Sequence, residues 1–151
     1  MTPTNERTIA SVTHLSSFAQ YVFPLGNFIA PIILWSAKKN DSEFVDYNGK
    51  QILNFQLSVF MYSLILVLIS LPLLIYGFVD LIGTNCTFSN FEIDFNGFHN
   101  QKITTLIGVA IVAFVLFMFL KVFEFILIIY AAVKASNGER YKYPLTIPFF
   151  K

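Results

Sequence analysis

The sequence predicts an all-α integral membrane protein: a short N-terminal helical hairpin, an interfacial amphipathic helix and two long transmembrane helices. Three observations carry that class. First, Ile103 to Ala135 is an almost unbroken run of Ile, Val, Leu, Phe and Ala, without proline and with one glycine, Gly108. As a helix, Thr104 to Val133 would be about 45 Å long, against a hydrocarbon core of about 30 Å. Second, 56% of the 151 residues are hydrophobic and 13% charged, roughly half the charge of an average soluble protein at about 25%. A soluble domain this apolar could not cover its own surface. Third, the eighteen Phe and seven Tyr suit a surface that faces acyl chains and membrane interfaces.

The elements follow in chain order. Met1 to Arg7 is a polar lead in which Thr4 or Asn5 can cap a helix, with Glu6 favourable in its first turn. Residues 8–37 form the expected hairpin. From Thr8 to Phe23 the pattern is amphipathic. Ile9, Val12, Leu15, Phe18 and Val22 share one face, and Ala10, Thr13, His14, Ser17 and Gln20 the other. Such a segment either lies in the interface or turns its polar stripe to other helices. Pro24-Leu25-Gly26-Asn27 breaks it, the proline ending the helix and the glycine allowing the turn. The next piece, Phe28 to Ala37, carries Pro31 and ends in Trp35, Lys38 and Lys39, as expected where a helix leaves the membrane. Each piece is short of the ~20 residues a straight span needs, which favours a re-entrant hairpin.

Residues 42–82 read as an interfacial helix running into a kinked transmembrane helix. Asp41 or Ser42 can cap it, Phe44, Val45, Ile52 and Phe55 give it an apolar side, and Pro72 marks the kink. Residues 83–102 form the sizeable extracytoplasmic loop. There Phe88, Phe91, Phe95 and Phe98 recur at helical spacing. Phe91, Ile93 and Phe95 also alternate like a strand before the turn signal Asn96-Gly97, so the conformation stays open. Asn85-Cys86-Thr87 fits a glycosylation sequon, a weak three-residue pattern. Residues 103–135 are the second long helix, stopped at Asn137-Gly138. Residues 136–151 form a cytoplasmic tail with two prolines. The whole reads as a single membrane domain.

If the first two pieces form a hairpin, Arg7, Lys38, Lys39, Lys50, Lys134, Arg140, Lys142 and Lys151 share one side and the other keeps Lys102. The positive-inside rule then makes both termini cytoplasmic, in a bacterial inner membrane. A single broken span would instead place the N-terminus outside. MTPTNERTIASVTH lacks the basic start, apolar core and cleavage site of a signal peptide, so helices of the mature chain are expected to direct insertion.

The net charge of +1 leaves no basic face for nucleic acid. The single Cys86 forms no internal disulfide. No Cys/His/carboxylate cluster has metal-ligand spacing, and no nucleophile–base pair, phosphate loop or paired carboxylates occur. The expectation is a non-enzymatic protein without cofactor, metal or catalytic residues.

Several residue groups together resemble a known family. They are His14-Leu15-Ser16, Pro24 to Asn27, Pro31 to Lys39 (PIILWSAKK), Phe44-Val45-Asp46 and Asn54-Phe55-Gln56. Near the end come Asn137-Gly138-Glu139 and Tyr143-Pro144-Leu145-Thr146. The set resembles a bacterial family of small four-helix membrane proteins of unknown function. That family is similar to the small channel-type subunit of the chloroplast inner-envelope (Tic) import translocon. The resemblance implies a four-segment integral membrane protein, and protein translocation or biogenesis only by analogy.

Lys121 and Glu124 are the only charges set within apolar sequence. Three apart on a helix, they can pair. They are read as a candidate intramembrane polar site with His14 and Gln20. A proton or ion relay is one reading. The other, favoured because a lone pair lacks a chain of acceptors, is a self-neutralising pair facing the bundle. His14 is either a switch near neutral pH or, preferred, a structural hydrogen-bonding residue. Asn54 and Gln56 either line a groove or, preferred, hydrogen-bond across helices. Phe88, Phe91, Phe95, Phe98, Tyr141 and Tyr143 are candidate partner contacts, since apolar surface in water marks interaction sites. In the tail, docking and anchoring at the interface weigh equally. The leading functional expectation is an accessory subunit of a larger membrane complex, partnered by lipid and other membrane proteins. The alternative is a small homo-oligomeric transporter or channel around Lys121 and Glu124. A lipid-modifying enzyme comes third.

Overall fold

The computed structural model describes residues 2–85 and 101–150. Among them all regular structure is helical. Helix α1 spans Pro3–Leu15 and leads into a 3-10 stretch, Ser16–Tyr21. Helix α2 spans Gly26–Lys38, α3 Glu43–Asn85 and α4 Gln101–Ser136. The expected all-α class is what the chain adopts. The aromatic loop positions Phe88, Phe91, Phe95 and Phe98 lie outside the described residues, as does His99.

Among the described residues two stretches are long and apolar enough to cross a membrane, Glu43–Ile75 with 33 residues and Ile107–Ser136 with 30. Only 11% of the most apolar window of each is buried within the protein. A soluble core helix would hide most of that surface, so hydrocarbon is its natural solvent. By contrast α1 and α2, at 13 residues each, are about 20 Å long and too short to span alone.

The chain divides into two compact units, Met1–Met61 with Lys121–Lys151, and Tyr62–Leu120. The second consists of continuing turns of α3 and α4. They flank an apolar groove of about 740 Å³ floored by small residues such as Ser70, Gly108 and Ala113. Helix α3 is helical on both sides of Pro72.

The first unit buries polar groups among apolar ones and keeps an oily exterior. Its α1 turns Ala10, Thr13 and His14 inward and the 3-10 stretch Ser17, while Val12 and Leu15 stay exposed and Val22 is 84% exposed. The polar stripe therefore faces other helices, the second of the two options the pattern leaves open. From α4, Glu124, Ile128, Ala131 and Ala135 form the buried stripe at helical spacing. Outward-facing Val122, Ile126 and Val133 are more than half exposed. Polar groups paired within a mixed interior, with oil outside, is the arrangement that cross-helix hydrogen bonding in lipid favours.

Local chemistry explains the breaks. Ser16 Oγ donates to the Thr13 carbonyl at 2.7 Å, and this back-bonding accompanies tightening of the last turn into 3-10 geometry, well before Pro24. The turn residue is a correction to expectation. Leu25, not Gly26, takes the left-handed conformation, at φ 61°. Gly26 serves close approach instead, for a Cβ there would lie 2.3 Å from the Ala19 carbonyl oxygen. Three turn amides are satisfied locally, Val22 and Phe23 by Ala19 and Gly26 by Phe23. These bonds lower the cost of placing the tip away from water.

Helix α3 starts at Glu43 because Ser42 Oγ accepts from the Val45 amide at 3.4 Å, an N-cap bond to the third residue. At the other end of the unit, Glu139 N–H reaches the Lys134 carbonyl and Gly138 N–H the Ala135 carbonyl, each at 3.0 Å. With Gly138 at φ 83°, this is a Schellman stop at the Asn137-Gly138 pair.

Candidate functional site

Within the first unit two polar clusters are buried. In the first, α4 sets Lys121 and Glu124 one turn apart. Lys121 Nζ stands 2.8 Å from Glu124 Oε2. Gln20, from the 3-10 stretch, closes the triangle. Its Nε2 donates to Glu124 Oε1 at 3.3 Å and its Oε1 accepts from Lys121 at 3.4 Å. Glu124 is 1% exposed and Lys121 32%. Both carboxylate oxygens are engaged and the charges cancel, which is how an ion pair survives away from water.

The second cluster is centred on His14. Asn48 Nδ2 donates to the Phe44 carbonyl at 2.9 Å, which orients its amide and leaves Oδ1 to accept from His14 Nε2 at 3.0 Å. Nδ1 of the ring is then the acceptor for the Tyr143 hydroxyl at 2.9 Å. The tautomer follows from this network. Burial lowers the His14 pKa to about 4, against the opposing effect of the Asn48 hydrogen bond. Burial likewise pushes Tyr143 well above its ordinary range, followed by the charges of Tyr141 and Glu124. Both shifts favour the uncharged forms, and all three side chains are committed to one another by hydrogen bonds.

Tyr143 also stacks on Phe55, with ring centroids 4.2 Å apart and planes 10° from parallel. Tyr141 meets both Tyr130 and Tyr143 edge-on.

Further polar side chains tie the unit together. Asn27 Nδ2 donates to Gln56 Oε1 at 2.9 Å, linking α2 to α3. Asn54 grips the tail with both ends of its amide. Oδ1 accepts from the Phe149 and Phe150 amides, and Nδ2 donates to the Phe150 carbonyl. One turn on, Ser58 Oγ accepts from the Ile147 amide at 2.8 Å. Ser17 Oγ and Gln56 Nε2 are buried with no hydrogen-bond partner among the described residues.

Of the expected intramembrane site, then, Lys121, Glu124 and Gln20 come together, and His14 belongs to the second cluster. Tyr143 was expected on a partner-facing surface. It is 2% exposed, because its hydroxyl has a buried acceptor in His14 and its ring a stacking partner in Phe55. Tyr141 is half-buried. Asn27, Asn48 and Ser58 are network members that sequence reasoning passes over. Asn48 alone carried a local cue, lying four residues after Phe44 on the side of α3 that also bears Ile52 and Phe55. Among the described residues no three His, Cys, Asp or Glu side chains gather as a metal site.

Compared with models of protein families, residues 5–150 match one described as the magnetosome magnetite crystal formation protein family. No curated protein and no solved structure matches significantly. The resemblance to a family of small bacterial membrane proteins is thereby supported, and nothing in these comparisons bears on a likeness to the chloroplast translocon subunit.

Proposed function

This chain belongs to the magnetosome magnetite crystal formation protein family, and on that premise we propose that it is a non-catalytic accessory subunit of a larger assembly in the bacterial inner membrane. The observation that carries the reading is the fate of its buried polar groups. Lys121, Glu124 and Gln20 satisfy one another, and His14, Asn48 and Tyr143 do the same. Groups used up in holding helices together are not available for acid–base chemistry on a substrate. The outer surface is apolar over both long helices, which suits lipid and helix–helix association. The family's description supports magnetite crystal formation as the setting of that assembly. A part in protein translocation rests on the resemblance to the envelope subunit alone. Both termini on the cytoplasmic side follows from the basic residues and is part of the same proposal.

The test is purification in mild detergent, with mass determination and mass spectrometry of partners. Recovery with other membrane proteins at a mass above the monomer supports the reading. Monomer mass with nothing bound overturns it. One observation favours a second reading, a small homo-oligomeric transporter: Lys121 is a third open to its surroundings. Ion or proton flux in vesicles that disappears in Lys121→Leu/Glu124→Leu supports the transporter, and flux unchanged by that double variant removes it.

A further inference from the structure

A cavity of about 500 Å³ opens where the tail meets the end of α2 and the first turns of α3, lined by Trp35, Lys39, Asp46, Lys50, Phe149 and Phe150 among others. Its lining is more polar than apolar, although three of these six side chains are aromatic. Asp46 is fully engaged. Its Oδ1 accepts from Trp35 Nε1 at 2.9 Å and its Oδ2 pairs with Lys50 Nζ at 2.7 Å. Lys39 Nζ lies 4.7 Å above the Trp35 ring and pairs with no carboxylate among the described residues. The lining thus carries one net positive charge, held over an aromatic platform. The wall opposite is rigid, because Asn54 fixes the Phe149 and Phe150 backbone and Phe150 meets Trp35 edge-on at 5.8 Å.

The surroundings specify the ligand. Tryptophan beside lysine marks the headgroup level of a bilayer. One turn before Trp35 on the same face of α2, Ile32 is exposed, as are Ile29 and Ile33 beside it. An anion held at Lys39 and Lys50 would therefore have an oily track leading away from it along α2.

We propose that this cavity is a binding site for a phosphate group, and that the phosphate is that of an anionic glycerophospholipid. Lys39 and Lys50 hold the phosphate, Trp35 and the two phenylalanines flank the glycerol, and the acyl chains follow the isoleucine face of α2. The site is independent of the complex-subunit reading and would exist in a monomer.

Trp35 is the sole tryptophan of the chain, so it reports on its own site. The full-length protein is reconstituted in phosphatidylcholine vesicles containing a minor fraction of phosphatidylglycerol or phosphatidylcholine brominated high on the acyl chains. Quenching of Trp35 gives the relative affinity. The expected preference for phosphatidylglycerol is about fivefold per engaged lysine. It should fall about fivefold in Lys39→Ala, recover in Lys39→Arg, and persist in Lys134→Ala, whose lysine pairs with Glu139 on the α4 side. Circular dichroism of each variant checks folding. Equal quenching by the two lipids overturns the proposal, as does an equal loss in Lys134→Ala. A saturable change in Trp35 fluorescence with inorganic phosphate in detergent, together with equal quenching by the two lipids, would make the cavity a site for free phosphate and overturn the lipid assignment.

Discussion

The Tyr143 hydroxyl lies 2.9 Å from Nδ1 of His14, 129 positions away in the chain. This bond fastens the tail to the first helix in a place neither segment could fill alone. Tyr143→Phe keeps the stack on Phe55 but strands a buried ring nitrogen. The expected loss is about 1–3 kcal/mol, read as a lower melting temperature in detergent with an unchanged helical spectrum.

Stability should also fall in acid through His14. Its pKa is about 4 in the fold against 6.5 outside it, so between those values the unfolded chain binds more protons than the folded one. Stability is full above pH 6.5, declines as pH drops toward 4, and at about 1.36 kcal/mol per unit loses about 3 kcal/mol in that window. Thermal melts at pH 7.5 and 5 measure it. In His14→Gln, whose amide can serve both neighbours, most of the difference should vanish.

The Lys121–Glu124 pair gives an ordering of variants. Lys121→Leu leaves Glu124, 1% exposed, as an unpaired charge with only Gln20 beside it. Glu124→Leu leaves the more open lysine and should be milder. Removing one partner of a buried pair costs about 3–5 kcal/mol, and replacing both is often neutral. Because Lys121 is partly open, the low end applies. Chemical denaturation should rank Lys121→Leu least stable, Glu124→Leu next and the double variant nearest the parent.

Two glycines should respond oppositely to alanine. A Cβ at Gly26 meets the Ala19 backbone at 2.3 Å, whereas one at Gly108 meets nothing within 4 Å. Gly26→Ala should destabilise by about 1–3 kcal/mol through overpacking. Gly108→Ala should be neutral or stabilising by up to about 1 kcal/mol, the helix-propensity gain. Paired melting curves decide it.

Asn54→Leu should free the tail without unfolding the bundle, because it removes three hydrogen bonds to Phe149 and Phe150. Limited chymotrypsin digestion should then cut faster after Phe149 and Phe150. Equal cutting in parent and variant would contradict the clamp.

What could be read from the sequence was what repeats locally. The apolar runs of α3 and α4, the polar stripe of α1, the Ser42 cap and the Asn137-Gly138 stop each declare themselves within a few residues. Lys121 and Glu124 stood out because they interrupt oil. The partners of these groups did not, since Gln20 is 104 positions from Glu124 and Asn48 34 from His14. No periodicity encodes such pairings. The burial of Tyr143 is invisible in the sequence for a related reason. Tyrosines beside prolines look like surface anchors until a buried histidine from the other end of the chain is known to need a donor. At the hairpin tip, the proline and glycine were rightly taken as a break. The left-handed residue between them was not, because a leucine at positive φ goes against the usual preference.

The inward-turned polar stripe of α1 also bears on protein engineering. Since the contacts that hold the first unit together do not depend on its oily exterior, outward residues such as Val12, Leu15, Val22 and Ile33 could be exchanged for lysine and glutamate with its internal bonds intact. A detergent-free version of this bundle is therefore a matter of repainting its outside, a course closed to membrane proteins whose helices are held by greasy packing alone.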